Sequence, residues 1–220
     1  MKKINKNLIA VAVGLAVIGL AIYATNGTID ILNEREALKG ENQMVENGNP
    51  LDLVDLGRGA TLGDPEAPVV MVNYSNYYCP YCVRFKENVF PQLKEDYIDT
   101  GDLLYVYRDL GNPSDPIYRA PYCADDSYWE YQDLLYSRME DFNEETLFSI
   151  ADTIGLDRED FENCLSDERY METIVSGLEE ANDLGVTGTP HIIIDDVELS
   201  GLRSYEDYKQ IIDIKLDENR

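Results

Sequence analysis

The residues of this chain best suited to chemistry are two cysteines separated by a proline and a tyrosine, in the order Cys79-Pro80-Tyr81-Cys82. A thiolate is the nucleophile in disulfide exchange, and a second thiol within reach can displace what the first has bound. Two cysteines at this spacing can also close a small disulfide with each other. The motif therefore predicts a redox pair in which Cys79 attacks and Cys82 resolves the mixed disulfide.

A strand and a helix must hold this pair in place. The run from Val69 to Tyr74 is compact, mostly apolar and β-favouring, and the apolar residues after Cys82 recur at helical spacing. The pair is therefore predicted at a strand-to-helix junction, where unpaired N–H groups and the helix dipole lower the pKa of the first cysteine. Pro80 suits the first helical turn because its missing N–H is not needed there.

A second informative stretch, Val186-Thr187-Gly188-Thr189-Pro190, directly precedes the apolar run His191 to Ile194. A proline that follows glycine and threonine and precedes a strand predicts a tight turn that can hold a cis peptide bond. This signal is weak alone and strong together with the upstream cysteine pair. We interpret His191, the single histidine, as a hydrogen-bonded strand residue, with tuning of the thiolate as the alternative.

Metal binding is a competing interpretation of the cysteine pair. Two cysteines at this spacing form half of a structural zinc site. The other half is missing from the sequence, because the two remaining cysteines stand alone and the chain has 1 histidine. We therefore predict no metal site. A purely structural bond within the pair is also disfavoured, because so small a loop gains little chain entropy.

The other two cysteines, Cys123 and Cys164, have no local partner. An even number of cysteines in an oxidising compartment favours a structural disulfide between them. Two further interpretations stay open: a second redox pair that relays electrons, and two buried free thiols.

The charge of the chain excludes one class of partner. Its 220 residues include 18 Lys and Arg against 43 Asp and Glu, for a formal net charge of −25. Such a surface repels nucleic acid, so nucleic-acid binding is excluded. The acids are scattered along the chain rather than gathered in one tail. This distribution favours a generally solvated surface, of the kind found on halophile proteins. A docking site for one basic partner is the less favoured interpretation.

The N-terminus has the pattern of a targeting segment. A short lysine-rich stretch precedes Leu8 to Ala24, which contains no charge. We interpret residues 1–24 as a transmembrane anchor, with a cleaved signal peptide as the alternative. The lysines hold the N-terminus inside, so the rest of the chain lies outside the cytoplasm, either anchored or secreted. Residues 25–60 are polar and are predicted to form a linker.

Beyond the linker, the pattern runs β, α, β before a long helical block. Leu103 to Tyr107 is the second predicted strand, His191 to Ile194 is the third, and Ser204 is the predicted N-cap of a last amphipathic helix. Helical spacing in the block covers four segments: Tyr118 to Arg138, Glu144 to Gly155, Arg158 to Leu165 and Asp167 to Leu184. This order predicts an α/β fold with a helical insertion that packs over one end of the sheet.

Several motifs, by their order and spacing, resemble the thioredoxin superfamily and, within it, the DsbA-like oxidoreductases that act outside the cytoplasm. They are Gly-Asp-Pro-Glu-Ala-Pro, Cys-Pro-Tyr-Cys, Val-Tyr-Arg-Asp, Tyr-Cys-Ala, Tyr-Trp-Glu-Tyr-Gln-Asp-Leu-Leu, Phe-Glu-Asn-Cys-Leu and Gly-Val-Thr-Gly-Thr-Pro. The resemblance covers about Thr61 to Tyr208. It implies a thioredoxin-like fold in two parts, residues 61–112 and 185–220, around an inserted helical domain at residues 113–184.

The resemblance also implies residue roles. Cys79 would be the exposed nucleophile and Cys82 the buried resolving thiol. Substrate would be bound by residues next to the pair and in the proline turn: Pro80, Tyr81, Thr189 and a cis Pro190. Apart from the resemblance, the many tyrosines are interpreted mostly as core and surface packing, with three near the pair as candidates to border the substrate groove: Tyr77, Tyr78 and Tyr81. Cys123 and Cys164 fall where some exported relatives carry an additional disulfide.

Two residues depart from the family pattern. Tyr81 stands where strong oxidases have histidine, and a tyrosine cannot supply a positive charge to hold the thiolate. Asn73, upstream of Cys79, stands where relatives often have a carboxylate beneath the pair. An amide cannot accept or donate the proton of the resolving thiol, so proton transfer needs water or another acid.

We therefore predict an extracytoplasmic thiol–disulfide oxidoreductase that needs no cofactor. It would introduce disulfides into exported proteins that contain cysteines, and a membrane redox partner would recycle it. A disulfide reductase or isomerase uses the same parts and is the first alternative. A non-enzymatic thioredoxin-like protein, metal-handling or adaptor, is the alternative from a different class.

Overall fold

The computed structural model describes residues 48–167 and 170–219. The predicted membrane segment, residues 1–24, and the first part of the predicted linker lie outside these ranges. Within the described ranges, no helix is both long enough and apolar enough to cross a membrane.

Five strands form one mixed sheet in the order β1-β3-β2-β4-β5. Their bounds are β1 Ala60–Leu62, β2 Val69–Ser75, β3 Leu103–Asp109, β4 His191–Ile194 and β5 Val197–Ser200. β2 and β3 are parallel, and the three remaining pairings are antiparallel. The sequence predicted the central strands β2, β3 and β4. It missed the edge strands β1 and β5, because segments of 3 and 4 residues carry no recognisable apolar run.

Helices cover both faces of the sheet. Their bounds are α1 Pro80–Asn88, α2 Phe90–Leu93, α3 Pro116–Arg119, α4 Tyr128–Ser137, α5 Glu144–Thr153, α6 Arg158–Ser166, α7 Met171–Asp183 and α8 Tyr205–Asn219. Shorter turns are the 3₁₀ segments Pro50–Leu53, Tyr122–Ser127 and Met139–Asp141 and the π-helical segment Lys94–Ile98. The predicted cap of the last helix is confirmed, since Ser204 Oγ accepts the N–H of Asp207 at 3.3 Å.

The helix predicted from Tyr118 to Arg138 is interrupted in the structure. α3 ends before Pro121, which has no N–H to continue a helical ladder. Asp125 then has a φ of 46°, outside the helical region. The aromatic spacing of this stretch continues across both breaks, so periodicity alone could not show them.

Successive side chains of β2 and β3 point to opposite faces of the sheet, so the hydrophobic core has two parts, one on each face. One face carries Met71, Tyr105 and Tyr107 and packs against α1, α8 and the helices inserted between β3 and β4. The other face carries Val72 and Val106 and packs against α7. The parallel register pairs Asn73 with Tyr107 and Ser75 with Asp109, so these polar residues belong to the first face.

Residues 48–60 belong to the folded domain. Their polar composition had instead suggested a linker. The buried guanidinium of Arg108 on β3 donates to the carbonyl oxygens of Asp55 and Arg58, each at 2.7 Å. Gly59 has a φ of 70°, and a Cβ there would lie 2.6 Å from Nη1 of Arg108. The linker prediction was too long at this end, because the contacts are made by backbone carbonyls that composition does not reveal.

A disulfide joins Cys123, in the 3₁₀ segment Tyr122–Ser127, to Cys164 on α6, with Cα atoms 5.8 Å apart. It closes a loop with a sequence separation of 41 and links two parts of the helical insertion. Replacing both cysteines with alanine is expected to lower the free energy of unfolding by up to about 4 kcal/mol, through the greater entropy of the unfolded chain. Urea denaturation measures this loss.

The same double variant separates a structural bond from a redox bond. We expect its rate of disulfide exchange at Cys79 to match that of the parent protein. A large loss of exchange with no loss of stability would instead identify Cys123–Cys164 as a second redox pair.

Candidate active site

The predicted redox pair lies where β2 passes into α1. Cys79 is the N-cap residue of α1, with an extended backbone (φ −85°, ψ 117°), and its carbonyl accepts the N–H of Val83 at 3.1 Å. Asn76 forms the preceding turn: its carbonyl accepts the N–H of Cys79 at 3.0 Å, and its side-chain oxygen accepts the N–H of Tyr78 at 2.8 Å. Pro80 occupies the first helical turn, as the sequence predicts.

The two cysteines are free thiols in opposite environments. Cys82 is 1% exposed, whereas Cys79 is half-buried. Burial raises the pKa of Cys82 to about 11, against weaker opposing hydrogen bonds. Partial burial also disfavours the Cys79 thiolate, but hydrogen bonds from the Thr189 side chain and the first helical N–H groups hold the pKa of Cys79 below its ordinary value. Cys79 is therefore the better nucleophile of the two near neutral pH.

The proline turn lies against the pair. The Thr189–Pro190 peptide bond is cis, and the Thr189 carbonyl accepts a hydrogen bond from Sγ of Cys79 at 3.2 Å. β4 pairs antiparallel with β2, with His191 opposite Tyr74, which fixes this turn at the end of the sheet where α1 begins. The structure thus brings together the two stretches that the sequence singled out.

Two of the three tyrosines near the pair are at the surface. Tyr78 and Tyr81 are 53% and 54% exposed and flank Cys79 in the chain. Tyr77 is fully buried and packs against the rings of Tyr118 and Tyr136. The prediction that Tyr77 borders the substrate groove was therefore wrong, because the turn after β2 directs this side chain into the core.

His191 is a residue of β4, as predicted, but its Nε2 makes no hydrogen bond among the described residues and lies 3.3 Å from the Glu198 carboxylate on β5. Burial lowers the pKa of His191, and the opposing effect of Glu198 is smaller. A neutral imidazole near neutral pH supplies no positive charge to hold the Cys79 thiolate.

Asn73 is buried on β2, the strand that leads into the pair. Its Nδ2 donates to the Tyr105 hydroxyl at 2.7 Å, and its Oδ1 has no hydrogen-bond partner among the described residues. Burial raises the pKa of Tyr105 far above neutrality. Neither side chain can exchange a proton near neutral pH, in agreement with the sequence interpretation of Asn73.

Introducing a carboxyl group at this position is expected to change the pH dependence of exchange. In the Asn73→Asp variant, burial would raise the pKa of the new carboxyl and add a break to the profile of exchange rate against pH. The matched control is Asn88→Asp at the exposed end of α1, which should leave the profile unchanged. An Asn73→Asp profile identical to the parent would show that position 73 lies outside the proton pathway.

Sequence reasoning missed four polar residues beside the pair, three on one face of the sheet and one on α4, which packs over that face. The Ser75 hydroxyl lies 2.9 Å from the Tyr136 hydroxyl, which lies 2.8 Å from the Tyr107 hydroxyl. The fourth residue, Asp109, is 3% exposed, and burial raises its pKa to about 8. A signal existed for Asp109, since two charged residues, Arg108 and Asp109, at the end of a strand that is otherwise aliphatic and aromatic are unusual. The contribution of Tyr136 from the insertion carried no such signal.

The thioredoxin family model matches residues 56–214, most of the chain. The chain belongs to the thioredoxin family. The match spans both cysteine pairs and the proline turn described above, so the fold predicted from the sequence motifs is confirmed.

Relatives narrow the class within this family. Disulfide bond formation protein D of Bacillus subtilis is 25% identical over 171 residues, which cover 70% of this chain and 76% of that protein. The probable disulfide bond formation protein D of Bacillus anthracis is 29% identical over 210 residues, covering 88% and 90%. The crystal structure of alpha-DsbA1 from Wolbachia pipientis superimposes with a TM-score of 0.69 and 28% identity, covering 78% of this chain and 98% of that one. This thioredoxin-family protein is thus a DsbA-like thiol–disulfide oxidoreductase, as the sequence predicted.

Proposed function

We propose that this protein introduces disulfides into cysteine-containing proteins outside the cytoplasm, with Cys79 as the nucleophilic cysteine and Cys82 as the resolving one. The observation that carries the proposal is the contrast between the two thiols. Cys79 is accessible at a helix N-terminus with a lowered pKa, and Cys82 is buried with a pKa raised to about 11. The Cys79 sulfur is thus accessible to substrate, whereas the Cys82 sulfur is accessible only to groups inside the protein, such as Cys79.

The proposed cycle begins with the oxidised pair. A substrate thiolate attacks Sγ of Cys79, the Cys79–Cys82 bond breaks, and Cys82 leaves with the electron pair and takes up a proton. A second substrate thiolate then attacks the substrate sulfur of the mixed disulfide and releases Cys79 as a thiolate. The substrate has gained a disulfide, and the two electrons remain in the Cys79–Cys82 dithiol until a membrane redox partner removes them.

The direction of the reaction follows from which form of the pair is stabilised. Hydrogen bonds that favour the Cys79 thiolate stabilise the reduced protein and make its disulfide more oxidising. Tyr81 adds no charge of its own, but the guanidinium of Arg84 lies 5.3 Å from its ring centroid and brings a positive charge to this surface. Relatives named for disulfide bond formation support the same direction.

We propose that substrate binds along the surface formed by the start of α1 and the proline turn. Tyr81 offers an exposed ring beside Cys79, and the Thr189 carbonyl at 3.2 Å from Sγ lies where the backbone of an extended peptide would pass. Contacts with substrate are assigned to Pro80, Tyr81, Thr189 and Pro190.

The proposed location rests on the N-terminal sequence. The charge-free run after the first lysines supports a membrane anchor at residues 1–24, with the catalytic domain outside the cytoplasm. An anchor would also keep the protein close to a redox partner embedded in the membrane.

The proposed direction is tested with the full chain in detergent. The oxidised protein is mixed with a reduced, unfolded protein that contains cysteines, and the loss of free thiols is followed. We expect rapid disulfide transfer and a reduction potential above about −200 mV, measured by equilibration with glutathione. A potential near −270 mV, together with slow oxidation of the test protein, would contradict an oxidase and favour the reductase.

A further inference from the structure

The proposed cycle requires a proton at a sulfur that solvent hardly reaches. Cys82 is 1% exposed, and its thiolate is a strong base because burial raises the pKa of Cys82 to about 11. When the Cys79–Cys82 bond opens, Cys82 must therefore take up a proton, and it must lose that proton again during reoxidation. Asn73 cannot supply it, and because Cys82 is 1% exposed, an acid inside the protein is favoured over bulk water as the source.

A row of hydroxyl groups leads from Cys82 into the core. Ser75 hydrogen-bonds to the Cys82 thiol, and Ser75 Oγ is 2.9 Å from the Tyr136 hydroxyl, itself 2.8 Å from the Tyr107 hydroxyl. We call Ser75, Tyr136 and Tyr107 the hydroxyl row. All three side chains are buried, and in each hydroxyl pair either oxygen can be the donor. Such a row can carry a proton in either direction by reversing its hydroxyl groups.

Asp109 lies at the far end of the hydroxyl row. It follows Tyr107 by two positions on β3, on the same face, and it is paired in register with Ser75 on β2. It is 3% exposed, and hydrogen bonding to the Tyr107 and Tyr122 hydroxyls favours its carboxylate form, although neither contact is a close, well-aligned hydrogen bond. A buried carboxyl thus lies next to the last hydroxyl of a hydrogen-bonded chain that starts at the resolving thiol.

The surroundings of Asp109 keep it protonated near neutral pH. The groups that interact electrostatically with the Asp109 carboxyl are Arg108, Tyr77, Tyr107, Tyr118, Tyr122 and Tyr128. Arg108 points to the opposite face of the sheet, where it pairs with Glu180 at 3.0 Å. Burial therefore outweighs the favourable charge and hydroxyl groups, and the pKa of Asp109 is raised to about 8.

We propose that Asp109 stores the proton that Cys82 needs, and that the hydroxyl row carries it between them. As the Cys79–Cys82 bond breaks and the substrate–Cys79 bond forms, Ser75 gives its proton to the departing Cys82 sulfur. Each hydroxyl of the row is replenished by the next, and Asp109 is left as a carboxylate. During reoxidation Cys82 returns the proton along the same row before it attacks, so Asp109 is unchanged over a full cycle.

A purely structural role does not account for Asp109. The folded protein holds its proton more tightly than the unfolded chain does, so this carboxyl makes the protein less stable as pH rises from the ordinary carboxyl range toward 8. It also gains no ion pair in return, since Arg108 is engaged elsewhere. A destabilising, buried titratable group beside an active site is characteristic of function.

The test is the single-turnover reduction of the oxidised full-length protein by dithiothreitol, followed from about pH 5 to 9 and corrected for ionisation of the reagent. The parent protein should show a break in rate near pH 8, set by Asp109. Asp109→Asn should lose this break and react about a hundredfold more slowly at neutral pH. Tyr107→Phe and Tyr136→Phe should do the same, because each removes one hydroxyl of the row.

Tyr105→Phe is the matched control. Tyr105 lies on the same strand and face as Tyr107 and is equally buried, and its hydroxyl accepts one side-chain hydrogen bond, but the donor is Asn73. This variant should keep the break near pH 8. Adding Asn73→Asp to Asp109→Asn should restore part of the rate by placing an acid elsewhere near the pair.

A break that persists in Asp109→Asn, or in Tyr107→Phe and Tyr136→Phe, overturns the proposal. If Asp109→Asn does not fold, the comparison of Tyr107→Phe with Tyr105→Phe decides alone, with thermal unfolding to show that both are folded. The inference rests on the proposed function, and the two fail differently. A parent protein without exchange activity contradicts the function, whereas an active parent with unaltered variants contradicts only the proton pathway.

Discussion

Replacing Cys79 with serine is expected to reduce disulfide exchange to the uncatalysed level, whereas Cys82→Ser should give a protein that becomes trapped on its substrate. Without Cys79 no accessible thiolate remains, because Cys82 is 1% exposed and its raised pKa keeps it protonated. With Cys79 alone, its thiolate can still attack a disulfide of the substrate: the substrate S–S bond breaks, a mixed disulfide forms, and no thiol inside the protein can displace the bound substrate. Non-reducing gel electrophoresis after mixing with a disulfide-containing protein distinguishes the two outcomes.

The two cysteine variants are expected to behave differently, and this difference makes the prediction discriminating. Two exposed, equivalent cysteines would give two similar variants, and a structural disulfide would give two destabilised ones. The control is the Cys123→Ala/Cys164→Ala variant, which should neither trap substrate nor lose exchange. Trapping by Cys79→Ser instead of Cys82→Ser would exchange the roles assigned here, and equal trapping by both would contradict the distinction between attacker and resolver.

The parts of the site that the sequence predicted are those determined locally. Cys79 and Cys82 sit on one turn of helix, and Pro80 and Pro190 constrain their own backbone, so residue type and spacing were sufficient. The central strands were equally readable, because an apolar run between turn signals needs no knowledge of its neighbours. The strand-to-helix placement of the pair followed from these two facts.

The parts that the sequence did not reveal depend on contacts between distant segments. Tyr136 reaches Ser75 and Tyr107 only because the insertion folds over the sheet. Tyr77 and Tyr78 are adjacent and chemically identical, yet one is buried and the other is 53% exposed. Asp109 could be seen at the end of a strand, but its relation to Cys82 required the parallel register of β2 and β3. The pattern of apolar and polar residues along a strand predicts which face of the sheet a side chain lies on. It does not predict which residues of distant segments that side chain contacts.

On the other face of the sheet, the Glu180→Gln variant is expected to lower the free energy of unfolding by about 3–5 kcal/mol, because it leaves a buried charge without its partner. Arg108 is 3% exposed and Glu180 9%, with Nε and Oε1 at 3.0 Å. Glu180 also accepts from the Tyr74 hydroxyl at 2.6 Å and from the N–H of Asp55 at 2.9 Å. One carboxylate therefore holds α7, β2, β3 and the segment before β1 together.

Urea denaturation measures this loss, with Glu179→Gln as the matched control, since the neighbouring side chain is exposed and its neutralisation should change stability little. A Glu180→Gln protein as stable as the control would show that the ion pair does not hold this face together.

The same variant should also act through the sheet on the active site. The positive charge of Arg108 lowers the pKa of its neighbour Asp109. By Coulomb's law, the Glu180 carboxylate, 3.0 Å from Arg108 Nε, is expected to oppose that effect. Once Glu180 is neutral, the pKa of Asp109 should fall, and the break expected near pH 8 in single-turnover reduction should move to lower pH. Glu179→Gln should leave the break in place. A shift confined to Glu180→Gln would connect the two faces of the sheet through the adjacent residues Arg108 and Asp109, since no other residue of β3 carries a charge.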